Sequence, residues 1–164
     1  MQRLAKFVIL FLIGFTFGCK KEDPTPMPPV IKFLEAGLSQ DKTYAIVKFE
    51  FFDNDGDLGL KQNENQGDQE YNLFIDYYEK VNGVWELKSP VVTYNSGTNQ
   101  YDTTYFHLRV PFIQNKEKKS LKGETYVNLI YNNFSTAESF KYQMVLKDRA
   151  LTSSNKIETT EIYK

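Results

Sequence analysis

The sequence predicts an all-β protein built as an antiparallel β-sandwich. Three observations carry this prediction: polar and apolar residues alternate through most of the chain, an Asn-Gly turn joins two such runs, and no stretch of ten residues has helical periodicity. About 135 residues in seven to eight short strands match a two-sheet sandwich of immunoglobulin-like type. A closed barrel is the alternative, because the sequence does not reveal whether edge strands pair.

The N-terminus predicts a cleaved secretory signal peptide, residues 1–18. Two cations, Arg3 and Lys6, precede an uncharged apolar run that ends at Gly18. This is the layout of an export signal. The run is about a dozen residues long, whereas a membrane-spanning helix needs roughly 20. We therefore expect the segment to be removed.

The end of this segment resembles the signal peptides of bacterial lipoproteins. Cys19, the only cysteine of the chain, directly follows Gly18. The resemblance implies cleavage before Cys19 and acylation of its thiol and of the new amino group. Two or more acyl chains hold a protein stably on a membrane, whereas one chain holds it only marginally. The membrane is therefore an expected partner, reached through a lipid anchor on Cys19.

Residues 19–29 predict a flexible, extended linker, because four of the six prolines fall in this segment. Within it, the run 21–23 (Lys-Glu-Asp) resembles the export signal of surface lipoproteins in Bacteroidota. That resemblance implies an outer-membrane protein displayed on the cell surface, with the periplasmic face as the alternative. The remaining residues, 30–164, form the predicted β-sandwich domain.

The strands of this domain are predicted from the period-two alternation. In the run 44–52, alternate apolar residues share one face, while Lys48 and Glu50 point the other way. The Asn82-Gly83 pair predicts a type I′ hairpin turn, which requires positive φ angles. The predicted strands are 30–36, 44–52, 71–81, 84–87, 104–112, 127–131, 140–147 and 156–163, and the predicted loops are 89–103 and 113–123.

An Asp-rich loop after the second strand carries the clearest chemical signal. Asp53, Asp55 and Asp57 occupy alternate positions, and such carboxylates can converge on a hard cation such as calcium. Counting Asp53 as position one, Gly59 could supply a carbonyl at position seven, and Glu64 falls at position twelve. This spacing resembles an EF-hand loop, although position six is a leucine and the flanks are strands. We therefore predict a calcium loop of another kind.

Two alternatives for the Asp-rich loop stay open. Asp, Asn and Gly also form ordinary turns, so the loop could be polar and free of metal. The carboxylates could also be catalytic. Calcium is favoured because a plain turn gains nothing from three nearby carboxylates that repel one another.

Three longer segments resemble a set of small lipoproteins of Bacteroidota. The segments are FFDNDGDLGL, YNLFIDYYEKVNG and VLKDRALTSSNKIET, and the last includes Asp148-Arg149-Ala150. The resemblance implies an immunoglobulin-like sandwich behind a lipidated cysteine, mostly without an assigned activity. Some of these lipoproteins accompany polysaccharide-uptake, adhesion or gliding systems.

Composition excludes several function classes. A net charge of −1 gives no reason to expect nucleic-acid binding. One cysteine and one histidine exclude an intrachain disulfide, a Cys-rich zinc site and a His-pair metal centre. We expect no enzymatic activity, because no nucleophile motif or phosphate loop is present and His107 reads as a surface strand residue.

The sequence thus predicts a non-enzymatic cell-envelope lipoprotein that acts as a binding or scaffold module, with an envelope protein as partner. The alternative is a glycan-binding surface lipoprotein of an uptake or adhesion system. That alternative rests on side chains assigned to outward faces, namely Phe74, Tyr78, Tyr105 and Ile130. Cross-strand pairing within the sheets would equally account for them.

Overall fold

The computed structural model describes residues 27–114 and 120–164. The predicted signal peptide, Cys19 and most of the linker lie outside the described residues. Within them, no helix is long and apolar enough to cross a membrane. The strands are β1 (Val30–Leu38), β2 (Ala45–Asp53), β3 (Leu73–Val81), β4 (Val84–Leu87), β5 (Val91–Asn95), β6 (Gln100–Thr104), β7 (Leu121–Leu129), β8 (Ser139–Leu146), β9 (Ile157–Glu158) and β10 (Ile162–Tyr163).

The strands form two main sheets and a separate hairpin. One sheet has the order β1-β2-β7, and the other has the order β10-β8-β3-β4, with β9 also paired to β8. The third sheet is the hairpin β5-β6. All strand pairs are antiparallel, and across the described chain no strand of one sheet pairs with a strand of another. The predicted all-β, sandwich-like fold is confirmed, and closure into a barrel is not observed.

The core lies between the inner faces of the two main sheets. The alternation predicted for β2 is confirmed, since Ala45, Val47 and Phe49 are fully buried while Lys48 and Glu50 are not. In β8 every second residue is likewise buried. Burial of such side chains is the main source of stability in the fold. The buried apolar core comprises Ile31, Ala45, Val47, Phe49, Leu58, Leu73, Ile75, Tyr77, Phe106, Leu129, Phe140, Tyr142, Met144, Leu146, Ile157 and Ile162.

The predicted Asn-Gly hairpin is confirmed. Asn82 and Gly83 join β3 to β4, and their φ angles are 51° and 80°. Both values are positive, as a type I′ turn requires.

Residues 27–114 and 120–164 contain ten strands, more than the seven or eight expected. The segment 89–103 was predicted to be a loop, but it contains β5 and β6. Ser96, Gly97 and Asn99 lie in the turn, while the ladder on both sides consists mainly of β-branched and aromatic residues. The predicted last strand is two short ones, β9 and β10.

The predicted strand 104–112 is wrong: Thr104 ends β6, and the rest of this segment forms only two isolated bridges, Leu108 with Leu73 and Pro111 with Leu60. The backbone of Leu108 pairs with Leu73, and side chains bind other backbone groups of this region. Asn72 accepts the Val110 N–H with its Oδ1 at 2.6 Å. Nδ1 of His107 accepts the Ile75 N–H at 3.1 Å. His107 is therefore a half-buried residue that covers the start of β3, rather than a residue on an exposed strand.

Asn155 joins the segment after β8 to β1 of the opposite sheet. Its Oδ1 accepts the Ile31 N–H at 2.9 Å, and its Nδ2 donates to the Ile31 carbonyl at 2.8 Å. We expect Asn155→Ala to lower the free energy of unfolding by about 1–3 kcal/mol, since it leaves both backbone groups without a protein partner. Urea denaturation measures this loss. The control is Asn133→Ala, which changes an exposed loop residue. If both variants lower the free energy of unfolding by the same small amount, the prediction is contradicted.

Candidate metal centre

The Asp-rich loop is drawn against the core by two leucines. Leu58 is fully buried and Leu60 is 3% exposed. Leu60 is also held by its backbone, which donates to the Val110 carbonyl and accepts from the Phe112 N–H, each at 3.0 Å. Apolar burial therefore pulls the preceding polar residues inward together with the leucines.

Gly59 sits where the loop passes closest to the segment after β6. Its φ angle is +86°, and a Cβ placed on it would lie 2.2 Å from the Pro111 carbonyl oxygen. Only glycine fits this combination of positive φ and close backbone approach. The loop's path over the core therefore depends on Gly59.

Three carboxylates converge inside this loop. One oxygen from each of Asp53, Asp55 and Asp57 lies within 4.8 Å of the other two. Asp53, the last residue of β2, is 0% exposed. Oδ1 of each of the three is buried, and no hydrogen-bond donor in the described chain reaches any of them. Oδ2 of Asp53 accepts the Leu58 N–H at 2.9 Å, which fixes the orientation of that carboxylate.

The cluster is electrostatically unfavourable when all its carboxylates are ionised. Burial and the negative charge of Asp55 raise the pKa of Asp53 to about 6. Burial is also the largest cause of the raised pKa of Asp57 and of Asp148. The charge of Arg149 lowers the pKa of Asp57 but does not outweigh the burial. A proton or a bound cation would relieve this repulsion.

Asp148 and Arg149 complete the surroundings of the cluster. Asp148 is 3% exposed and follows β8, and its Oδ1 accepts the Thr152 N–H at 2.7 Å. The Arg149 guanidinium lies 4.9 Å from the centre of the Phe112 ring. Sequence reasoning did not place either residue at the site. The only signal was the Asp-Arg-Ala run itself, because nothing local reveals that the turn after β8 approaches the end of β2.

The structure does not bring all the predicted ligands together. The carboxylate of Glu64 accepts the Lys61 N–H at 2.7 Å, so it caps its own turn. The backbone of Glu64 is held by Arg109, whose Nη1 donates to the Glu64 carbonyl at 2.7 Å. Gly59 has a packing role against Pro111. The EF-hand spacing thus correctly groups Asp53, Asp55 and Asp57, and Glu64 lies apart from them.

The chemistry of the cluster suits a hard divalent cation. Its groups are all carboxylates, and oxygen ligands favour calcium or magnesium over zinc and copper. Calcium accepts irregular geometry and several protein oxygens, whereas magnesium demands a near-ideal octahedron and retains water. Three protein carboxylates in an irregular loop, one fully buried and two half-buried, therefore fit calcium better.

The large apolar residues assigned to outward faces divide into two groups. Phe74 and Tyr78 are half-buried, and lysine ammonium groups lie over their rings, with Lys147 4.8 Å from the Phe74 ring centre. Tyr105 and Ile130 are 53% and 59% exposed. The first group is packed within the sheet, and the second faces solvent.

Comparison with known proteins adds no relative. No family model matches the sequence, and neither a curated protein nor a solved structure is similar to it. The interpretation of the site therefore rests on its geometry.

The raised pKa of Asp53 gives the metal-free protein a characteristic pH dependence. A carboxyl group whose pKa is near 4 in the unfolded chain and about 6 in the fold stabilises the fold while it is protonated. This stabilisation is full below about pH 4 and is lost as the pH rises through about 6. We expect the free energy of unfolding of the metal-free protein to fall by this contribution, as measured by urea denaturation between pH 4.5 and 7.

Asp53→Asn is the reference for that measurement. Burial lowers the pKa of His107, so His107 acts with the opposite sign in the same range. Subtracting the profile of Asp53→Asn from that of the native protein removes the contribution of His107. A flat difference profile would contradict the prediction. The carboxylates with lowered pKa also act with the opposite sign, and the same subtraction removes their contribution; they are Asp41, Glu158 and Glu161.

Proposed function

We propose that the protein is a non-enzymatic binding or scaffold module of the cell envelope, anchored through a lipid on Cys19 and stabilised by calcium at Asp53, Asp55 and Asp57. The observation that supports the calcium site is the convergence of three buried, unpartnered carboxylate oxygens. The anchor rests on the apolar N-terminal run that ends at the only cysteine. The resemblance to Bacteroidota lipoproteins supports the anchor.

A calorimetric titration of the metal-free full chain tests the calcium site. We expect one calcium ion per chain and a higher melting temperature, since a ligand that binds only the folded state stabilises it. At a free concentration of 100 times the dissociation constant the gain is about 2.7 kcal/mol. Magnesium at the same concentration is the control and should bind more weakly. No heat and no rise in melting temperature at millimolar calcium would refute the site.

The anchor is tested separately from the metal. We expect the native chain to incorporate labelled fatty acid and to remain with the outer-membrane fraction, and Cys19→Ala to lose both properties. Protease added to intact cells should digest the domain if it is displayed on the surface. Protection until the outer membrane is opened would place the domain on the periplasmic face. Release of the native chain as a soluble, unacylated protein would refute the anchor.

Glycan binding is the second candidate function, and the exposed tyrosines of the β5–β6 hairpin favour it. Tyr94 and Tyr101 are 51% and 72% exposed, and their ring centres are 5.2 Å apart. Such a pair could stack on a sugar ring. The double substitution of both tyrosines by alanine should abolish retention on polysaccharide, and Tyr126→Ala, 59% exposed on the other sheet, should not. No retention of the native chain would exclude this candidate.

A further inference from the structure

The two sheets meet at the Asp-rich loop. Asp53 ends β2 in the sheet β1-β2-β7, and Asp148 comes two residues after the end of β8 in the other sheet. The carboxyl ends of β2 and β8 thus deliver buried acidic residues to the same edge of the sandwich. Asp148 is nearly as buried as Asp53, at 3% against 0% exposure.

Direct interactions show how near the two loops are. Arg149, in the turn after β8, lies over the ring of Phe112, whose N–H donates to the carbonyl of Leu60 in the Asp-rich loop at 3.0 Å. The Ala150 N–H favours the ionised forms of both Asp57 and Asp148, so it lowers the pKa of each against the effect of burial. The negative charge of Asp148 acts on Asp57, and that of Asp55 acts on Asp148. Asp148 lies outside the group of carboxylate oxygens within 4.8 Å of one another, but it is close enough for its charge to repel that group.

The protein's own cation does not satisfy this cluster. Arg149 lies over the Phe112 ring, and its Nη1 has no hydrogen-bond acceptor in the described chain. Oδ1 of the fully buried Asp53 is likewise unpartnered and points into the cluster. A buried ionised carboxylate without a partner is costly, so a separate cation fits between the loops.

We propose that calcium joins the two sheets, with the carboxylate of Asp148 completing the site that Asp53, Asp55 and Asp57 form at the end of β2. This inference rests on the proposed calcium site. Asp148 can bind the ion without releasing the Thr152 N–H, because a carboxylate offers about four acceptor positions. The segment after β8 is already tied to β1 through Asn155, and the ion ties it to β2 as well.

The consequence is a calcium-dependent turn. With calcium, the segment 147–156 is held from both sides, and its backbone amides should exchange with solvent more slowly by about tenfold or more. Without calcium, the repulsion between the loops opposes their approach, and the segment keeps only contacts to other parts of the fold, such as the Asn155 bonds to Ile31 and the Lys147 N–H bond to the Asn72 carbonyl at 2.8 Å. The hairpin segment 91–104 is the internal control, because β5 and β6 form a sheet of their own.

The test combines amide exchange with a matched pair of variants of the full chain. Asp148→Asn retains an acceptor for the Thr152 N–H but removes the charge, and we expect it to weaken calcium binding by about 10–100-fold. Asp76→Asn removes the same charge from half-buried Asp76 on β3, outside the cluster, and should bind calcium like the native chain. Affinity is measured by calorimetry, and exchange is measured by mass spectrometry with and without calcium.

The outcomes separate this inference from the proposed function. If the native chain binds no calcium, the metal site itself is refuted. If the native chain binds calcium but Asp148→Asn binds it equally well and calcium does not slow exchange in 147–156, the link between the sheets is refuted and the site stands. The exchange of the native chain decides the matter even if Asp148→Asn fails to fold.

Discussion

Replacing Gly59 with alanine should lower the free energy of unfolding by about 2–5 kcal/mol. Two effects add in this variant. The φ angle of +86° disfavours any residue with a Cβ, and that Cβ would lie 2.2 Å from the Pro111 carbonyl oxygen. The oxygen belongs to the backbone, so no side-chain rotation relieves the clash. The loop or the segment after β6 must move, and either movement disturbs the burial of Leu58 and Leu60.

Gly67→Ala separates the two effects. Gly67 has a φ angle of +59°, but a Cβ there would meet nothing within 4 Å. This variant carries only the backbone strain and should lose about 1–2 kcal/mol. Urea denaturation at equilibrium measures the free energy of unfolding of both glycine variants. Equal losses would show that the close approach to Pro111 does not restrict residue 59. Calcium titration of Gly59→Ala adds a second measure, since a displaced loop should also bind the ion more weakly.

The regular part of the fold could be predicted because its signal is local. In β2 and β8, alternate apolar residues reach the core exactly as a two-residue period requires, and the Asn82-Gly83 turn carries its own conformational preference. The strand predicted for 104–112 was wrong for a non-local reason. Its composition suits a strand, but side chains of Asn72 and His107 occupy backbone groups that a ladder would use. The alternation of polar and apolar residues does not show which backbone groups are bound by side chains.

The convergence of the three carboxylates was predictable to the same extent as the regular part of the fold. Alternate carboxylates after a strand predicted the grouping of Asp53, Asp55 and Asp57, which is a local property. Glu64 was assigned by a spacing that belongs to a loop between helices, whereas here the chain is held at Leu60 and turns away. The position of Asp148 near this loop depends on how the two sheets meet, so only the tertiary structure reveals it.

We expect calcium to reverse the effect of Asp53→Asn on the free energy of unfolding. In metal-free buffer we expect the variant to be more stable than the native chain, by on the order of 1–2 kcal/mol, because a buried charge with a raised pKa is removed. The asparagine oxygen can still accept the Leu58 N–H that Asp53 accepts at 2.9 Å. The amide group also supplies a donor toward the unpartnered oxygens of Asp55 and Asp57. Relief of repulsion therefore outweighs the loss of a charge-assisted hydrogen bond.

In saturating calcium the order should reverse. The native chain gains about 2.7 kcal/mol at 100 times the dissociation constant, and the variant, lacking one of three converging carboxylates, gains little. Thermal and urea unfolding measure the stability of the native chain and of the variant, each in chelator and in calcium. Asp102→Asn, an exposed residue of β6, is the control and should follow the native chain in both buffers. A variant less stable than the native chain in chelator would mean that the charge of Asp53 itself supports the fold. In that case the repulsion within the cluster is not what calcium relieves.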